Sequence, residues 1–276
     1  MILKFAGIKR QLEYSPNHIE NDTLILNQTA DNLRKFGIEI AIYHEDEIGK
    51  VEIKENIIIS MAQGVDSSIK LKEIEDKGAL IINSPRAVLN CHRVNMVQIM
   101  KNNNIPFPES IPFNVSSDTI PPFNCFNFRK VWLKRGDVHA VHREDVTLVY
   151  SESEKTSLLR EFERRGIETA ILQRHVDGDV IKFYAVGEND LFHWYYLNGI
   201  NHTEFDLKKL KKLALSGAHA LQLDIYGGDA VISPEGSITI IDMNDWPSFA
   251  PIRNKASETI SQLILKKAEN YENVKI

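Results

Sequence analysis

The sequence predicts an α/β fold divided into more than one lobe, and three observations predict it. Short apolar strands alternate with helix-patterned segments over the first eighty-odd residues, the pattern of a small parallel sheet covered by helices. Five of the ten prolines then fall in residues 105–123, a compositional break that reads as a connector with extended segments. Beyond it the chain is strand-rich and closes on a β-hairpin and a final helix.

The 276 residues suffice for two or three lobes with sizeable cores. With 33 Lys+Arg against 38 Asp+Glu, the net charge of −5 argues against a general nucleic-acid binder, so an anionic ligand needs a local basic pocket. Cys91 and Cys125 are too few for a disulfide framework and read as buried thiols. No apolar run approaches the roughly 18 residues of a membrane span. Lys4 interrupts the short apolar start, so no signal peptide is expected. The expectation is a cytoplasmic protein with neither membrane nor nucleic-acid partner.

Ile2–Phe5 reads as the first strand. Thr23–Phe36 places Leu26, Ala30 and Leu33 at helical spacing, with Asn21/Asp22 as cap and Gly37 as stop. Ile38–Tyr43 and Asn56–Ser60 are buried strands, Asp66–Lys77 is a helix ended by Gly78, and Leu80–Asn83 is a further strand. No G-x-G-x-x-G follows the first strand, which argues against a dinucleotide site. Ser84-Pro85 opens a helix to about Asn103. After the connector come strands at Val131–Lys134 and Val146–Tyr150, then a charged helix capped by Ser153 and ending at Gly166. Strands follow at Thr169–Arg174, Ile181–Val186 and Leu191–Tyr196, and Asp206–Leu221 is helical. A hairpin over Gly227–Asp242 turns at Pro234–Gly236, and Lys255–Ala268 is the closing helix. The boundaries expected from this are 1–84, 85–170 and 171–276.

The hairpin carries the first chemical signal. With a loop of Pro234–Ser237, Ser233 pairs with Ile238 and Asp229 falls opposite Asp242, while Asn244 shares the Asp242 face. Facing carboxylates repel unless a cation sits between them, and magnesium suits carboxylate and amide oxygens. A register shifted by one would instead turn both aspartates to solvent. Lysines inside apolar strands are the second signal: Lys134 ends Val-Trp-Leu-Lys, and Lys182 sits in Val-Ile-Lys-Phe-Tyr-Ala-Val. Such a charge is costly unless it meets an anion or snorkels from a sheet edge. Together, two lysines and a carboxylate hairpin suggest a phosphate-and-magnesium site.

From about Ser84 to Pro251 these segments resemble the ATP-grasp superfamily. The resemblance is carried by Cys91-His-Arg-Val…Ile105-Pro-Phe-Pro, Val131-Trp-Leu-Lys134 and Ile171-Leu-Gln-Arg-His-Val. It continues through Asp179-Val-Ile-Lys-Phe-Tyr-Ala-Val-Gly187, Leu223-Asp-Ile-Tyr-Gly-Gly-Asp229 and Ile241-Asp-Met-Asn244-Asp-Trp-Pro247. It implies an ATP-grasp fold preceded by a Rossmann-like lobe. It also implies ATP and Mg2+ as cofactors and a small-molecule acceptor, anionic in character. Arg93 and Lys134 match phosphate-directed residues, and Gln173, Arg174, His175 and Val176 match the adenine hinge. Asp179, which opens the following run, belongs with the nucleotide-binding set. Lys182 takes the place of a basic residue aimed at the transferred phosphoryl group, and Asp229, Asp242 and Asn244 match magnesium ligands.

The chain departs from the ligases of this superfamily at two points. Aspartate stands at 242 in place of glutamate, and Lys134-Arg-Gly-Asp-Val-His-Ala-Val-His-Arg143 replaces a glycine-rich phosphate loop, keeping only Gly136. Arg135, His139, His142 and Arg143 make that loop densely basic, either a solvated surface or an anion clamp. Lys182, Arg143 and His139 are the expected catalytic residues. Asp-x-Asn with Lys-Phe-Tyr-Ala-Val-Gly is similar to inositol-phosphate kinases, whereas the overall pattern is similar to RimK-type ligases. The leading expectation is an ATP-dependent carboxylate–amine ligase acting through an acyl phosphate. The alternatives are a small-molecule kinase and a non-catalytic nucleotide-binding protein. The nine histidines show no helical His-x-x-x-His that would suggest zinc. Phe192-His-Trp-Tyr-Tyr196 reads as sheet core rather than as a base-stacking platform.

Overall fold

The computed structural model describes residues 4–16, 19–138, 140–197 and 202–274. The first four strands form one parallel sheet in the order β2-β1-β3-β4: β1 (Lys4–Lys9), β2 (Glu39–His44), β3 (Ile57–Ser60) and β4 (Leu80–Ile82). Helices α1 (Ile19–Arg34) and α2 (Val65–Asp76) connect them, as alternating apolar periodicity requires. Ile57, Ile58 and Ile59 are buried on both faces of β3, the burial expected of a central parallel strand. The described part of β1 runs to Lys9, beyond the Phe5 expected, because Ala6 and Ile8 continue the buried run.

The long helix expected after Pro85 is two helices, α3 (Pro85–Asn90) and α4 (Arg93–Asn102), broken at Cys91-His92. Carbonyls from a distant loop explain the break: the Arg93 and Val94 amides donate to Asp137 and Gly136 at 3.2 and 2.9 Å. Those partners stand in for the preceding helical turn, so a new helix starts there.

A second sheet has the order β5-β8-β6-β7, built from β5 (Ser110–Asn114), β6 (Val131–Arg135), β7 (Val146–Val149) and β8 (Thr169–Arg174). The proline-rich connector therefore contains a strand, paired with β8. Pro112 faces Ile171 on the sheet edge, where a missing N–H leaves no ladder bond unmade. Helix α5 (Glu152–Arg164) covers this sheet, and its cap is Ser151, whose hydroxyl accepts from the Glu154 amide, rather than Ser153.

The third sheet is antiparallel, in the order β10-β9-β11-β12, from β9 (Asp179–Val186), β10 (Leu191–Tyr196), β11 (Ile225–Ile232) and β12 (Ile238–Asp245). Strict alternation on β9 splits its two faces. Ile181, Phe183 and Ala185 pack under α6 (Leu207–Leu221), whereas Tyr184 and Val186 join the core shared with the first sheet and α7 (Arg253–Val274). Asn83, just after β4, locks the two sheets together: its side chain donates to Ile225 O at 2.6 Å and accepts the Asp224 and Ile225 amides at 2.9 Å each. Among the described residues no helix is long and apolar enough to cross a membrane.

Candidate active site

The hairpin β11–β12 brings Asp229 directly opposite Asp242, with Asn244 two residues on along the same face. The expected pairing is correct, but it arises differently. Ile232, not Ser233, faces Ile238, and Ser233 N donates to Ser237 O at 2.9 Å around a three-residue turn. An irregularity between Asp229 and Ala230 then shifts the register by one and restores the aspartate pair. Gly228 lies beside this bulge because a Cβ there would come within 2.5 Å of Asp242 O and 2.6 Å of the Phe183 ring.

Cations converge on these carboxylates from three elements. On β9, Lys182 Nζ lies 3.1 Å from Asp229 Oδ1. From the start of α4, Arg93 Nη2 lies 3.2 Å from Asp242 Oδ2, and its Nη1 donates to Val138 O at 3.0 Å. From β6, Lys134 Nζ donates to Ile241 O at 3.3 Å. Arg93 and Lys134 are buried, so they could not be held there as charges without opposite charge nearby.

The titrations follow from this packing. Burial pushes the Lys134 pKa down to about 8; the Asp242 carboxylate opposes that fall and the Arg93 guanidinium adds to it. Burial also works against the Lys182 charge, but Asp229 overrides it and holds the ammonium above its ordinary value. Asp229 is raised by burial and by Asp242 facing it, with Lys182 opposing.

Two carboxylates and an amide on one face are hard oxygen donors of the kind magnesium takes. Asp229 and Asp242 stand directly opposite each other, so a cation held between their oxygens would relieve their repulsion, and these residues fit such a cation. Among the described residues no three His, Cys, Asp or Glu side chains gather to hold a metal. A cation here would therefore complete its shell with ligand and water oxygens.

The residues expected at the adenine hinge end β8 and lead toward β9, and the Gln173 and His175 side chains turn to the second sheet. Gln173 is buried and donates to Ser110 Oγ at 3.1 Å, and Arg174 lies over the Phe128 ring at 5.8 Å. His175 Nδ1 accepts from Trp132 Nε1 at 3.1 Å, while Nε2 meets Asp177 at 3.0 Å. Val176 contributes backbone to the same crossing between sheets. Asp179 lies on the alternate face of β9 from Lys182, and its carboxylate accepts the Thr203 amide at 2.7 Å. It is not among the residues around the cavity described below.

The basic loop divides. Arg135 is neutralised from within: it pairs with Asp137 at 2.6 and 2.9 Å and with Asp145 at 3.1 Å, so it does not belong to an anion clamp. Asp145 is fully buried and also accepts Arg165 at 2.7 Å and the Val141 and His142 amides at 2.8 and 3.0 Å. Despite burial, these partners lower its pKa to about 2. Gly136 is there for close packing, since a Cβ would meet Thr169 Oγ1 at 2.6 Å. His142 and Arg143, by contrast, line a cavity. His139 lies outside the described residues.

That cavity, of about 670 Å³, lies between the first and third sheets beside Lys182 and Asn244. Its far wall was not anticipated from the sequence. Arg10 donates to Asp22 at 2.8 Å, to Met61 O at 3.1 Å and to Trp246 O at 3.2 Å. Gln63 donates to Asp245 at 3.2 Å. Tyr184 and Tyr195 complete the wall next to Lys182. Asp245, adjoining Asn244, was the one local clue; Arg10 and Asp22 carry none, because their partners are distant in sequence.

No protein-family model and no curated protein sequence matches the chain. Solved structures do. The D-alanine–D-alanine ligase from Bacillus anthracis, complexed with ATP, superposes with a TM-score of 0.74 at 13% identity, covering 97% of this chain and 99% of that one. An ATP-grasp RimK domain protein from Sphaerobacter thermophilus gives 0.68 at 14% identity over 95% and 99%. The VanG D-Ala:D-Ser ligase from Enterococcus faecalis gives 0.68 at 13% over 98% and 100%. At these identities the likeness is one of architecture, over nearly the whole length of each chain: this protein has the ATP-grasp fold.

Proposed function

We propose that the protein is a Mg-ATP-dependent carboxylate–amine ligase. The observation that carries this reading is the convergence of Arg93, Lys134 and Lys182 on the Asp229–Asp242 pair within an ATP-grasp fold. Phosphoryl transfer asks chiefly for positioning and charge neutralisation, which is what such a cluster supplies. Without ligand the cations and carboxylates neutralise one another. With nucleotide, the cations would turn to phosphate oxygens, and Asp229, Asp242 and Asn244 are the residues that would hold the metal. The chemistry that magnesium would supply there is neutralisation of phosphate charge.

A substrate carboxylate in the 670 Å³ cavity attacks the γ-phosphorus and ADP leaves, giving an acyl phosphate. An amine then attacks the acyl carbon, loses a proton and expels inorganic phosphate, so one amide, one ADP and one phosphate form. His142 and Arg143, exposed at the cavity mouth, are placed to attract an anionic acceptor. The D-alanine–D-alanine and D-Ala:D-Ser ligases of like fold support an amino-acid acceptor.

The test is a screen of amino acids and short peptides with ATP and magnesium, following ADP, free phosphate and amide product separately. Stoichiometric ADP, phosphate and amide are expected. Phosphate retained on a product would make the protein a phosphotransferase, and no ADP from any pool would overturn the reading.

A further inference from the structure

The aromatic strand β10 reads as core in the sequence, yet its alternation puts two rows of rings to different uses. Phe192 and Trp194 pack on the α6 side: Phe192 stacks on Phe183 at 5.9 Å and Trp194 meets Phe205 edge-on at 4.9 Å. Tyr195 belongs to the other row. It sits directly opposite Lys182 in the β9–β10 ladder, so the two side chains emerge side by side on one face and line the same cavity.

Tyr184, two residues after Lys182, is on that face too. It is 4% exposed and backed by Phe249 at 5.3 Å, and its hydroxyl lies 3.4 Å from that of Tyr195. Either hydroxyl could donate, but a buried donor without an acceptor is costly. Among the described residues the Tyr195 oxygen is the acceptor that the Tyr184 hydroxyl meets. Tyr184 is the more buried of the two, which favours its hydroxyl as the donor to Tyr195. With Tyr184 donating, the Tyr195 oxygen is occupied on that side and its own hydroxyl is free to donate into the cavity that Tyr195 and Lys182 both line.

We infer that Tyr195 is a further anion-binding residue of the site, donating a hydrogen bond to the phosphoryl group that Lys182 faces, with Tyr184 as the positioning residue that orients it. This rests on the reading of Lys182 as a phosphate-facing lysine. A lysine alone is a mobile point charge, whereas a phenol held on a strand supplies a directed donor for one oxygen. The pair thus supplies in side chains part of the directed donation to phosphate that a glycine-rich loop supplies with backbone amides elsewhere.

Inorganic phosphate added to the enzyme–MgADP complex is the probe, because it needs no knowledge of the acceptor. By titration calorimetry, Tyr195→Phe is expected to weaken phosphate binding about tenfold while MgADP affinity stays within twofold, the usual scale for a bond to a charged group. Tyr184→Phe keeps the ring and removes only the orienting proton, so about threefold is expected. Tyr195→Phe binding phosphate as tightly as the wild type, or a wild-type MgADP complex that binds no phosphate, would overturn the inference. Failure of the ligase reading shows separately, as absence of amide in the substrate screen.

Discussion

At the residue scale, Lys134 is a site cation whose chemistry is strongly altered by the fold. Its pKa falls from 10.5 to about 8 through burial, worth about 3 kcal/mol of folding free energy at neutral pH. The sign follows directly. Between pH 8 and 10.5 the unfolded chain binds the proton and the folded chain does not, so stability rises with pH across that window. The penalty is fully present below it. Lys134→Met should accordingly stabilise the protein by about 1–3 kcal/mol at pH 7 and remove the pH dependence, as read by denaturant unfolding. The same variant should lose nucleotide affinity, and wild-type affinity should fall as pH rises above about 8. A destabilised Lys134→Met would contradict this account of the buried charge. Lys134 and Lys182 were legible in the sequence because a charge inside an apolar strand is a local anomaly. Arg10 and Asp22 were not, since nothing near either residue records that they meet 2.8 Å apart against Trp246 O.

At the element scale, the strands of the third sheet were readable from period-two patterning, and even the Asp229–Asp242 pairing could be written down. The turn and the bulge that produce it could not, because two compensating one-residue errors leave no trace in periodicity. The break between α3 and α4 was hidden for a similar reason: residues 85–103 are helical by local preference, and carbonyls from residues 136 and 137 decide otherwise. The strand in the proline-rich connector needed β8 as its partner to exist at all. Asn83 tests how firmly elements are joined. It makes three hydrogen bonds to the Asp224–Ile225 backbone, two of them buried, so Asn83→Ala should cost about 2–4 kcal/mol and lower the melting temperature. An unchanged melting temperature would mean that the joint between the first and third sheets bears no stability.

At the scale of the whole molecule, the site exists only where three sheets meet. Arg93 and Lys134 reach across from the second-sheet side, Asp229, Asp242 and Lys182 stand on the third, and the first closes the cavity through Arg10 and Gln63. The core shared by β1, β3, α1, α7 and the third sheet fixes the first and third relative to each other. Beside the apolar packing of α4, Arg93 and Lys134 make polar links from the second-sheet side to the third sheet, and on the proposed function these are remade on phosphate binding. Metal and nucleotide should therefore be strongly coupled through Asp242. The most direct measurement is the affinity for ATP by titration calorimetry with magnesium and with EDTA, in the wild type and in Asp242→Asn. Magnesium should tighten ATP binding by at least tenfold in the wild type and by little in the variant, which still binds ATP weakly through the cationic side chains. Equal affinities with and without magnesium in the wild type, or an undiminished magnesium effect in Asp242→Asn, would contradict the assignment of this site.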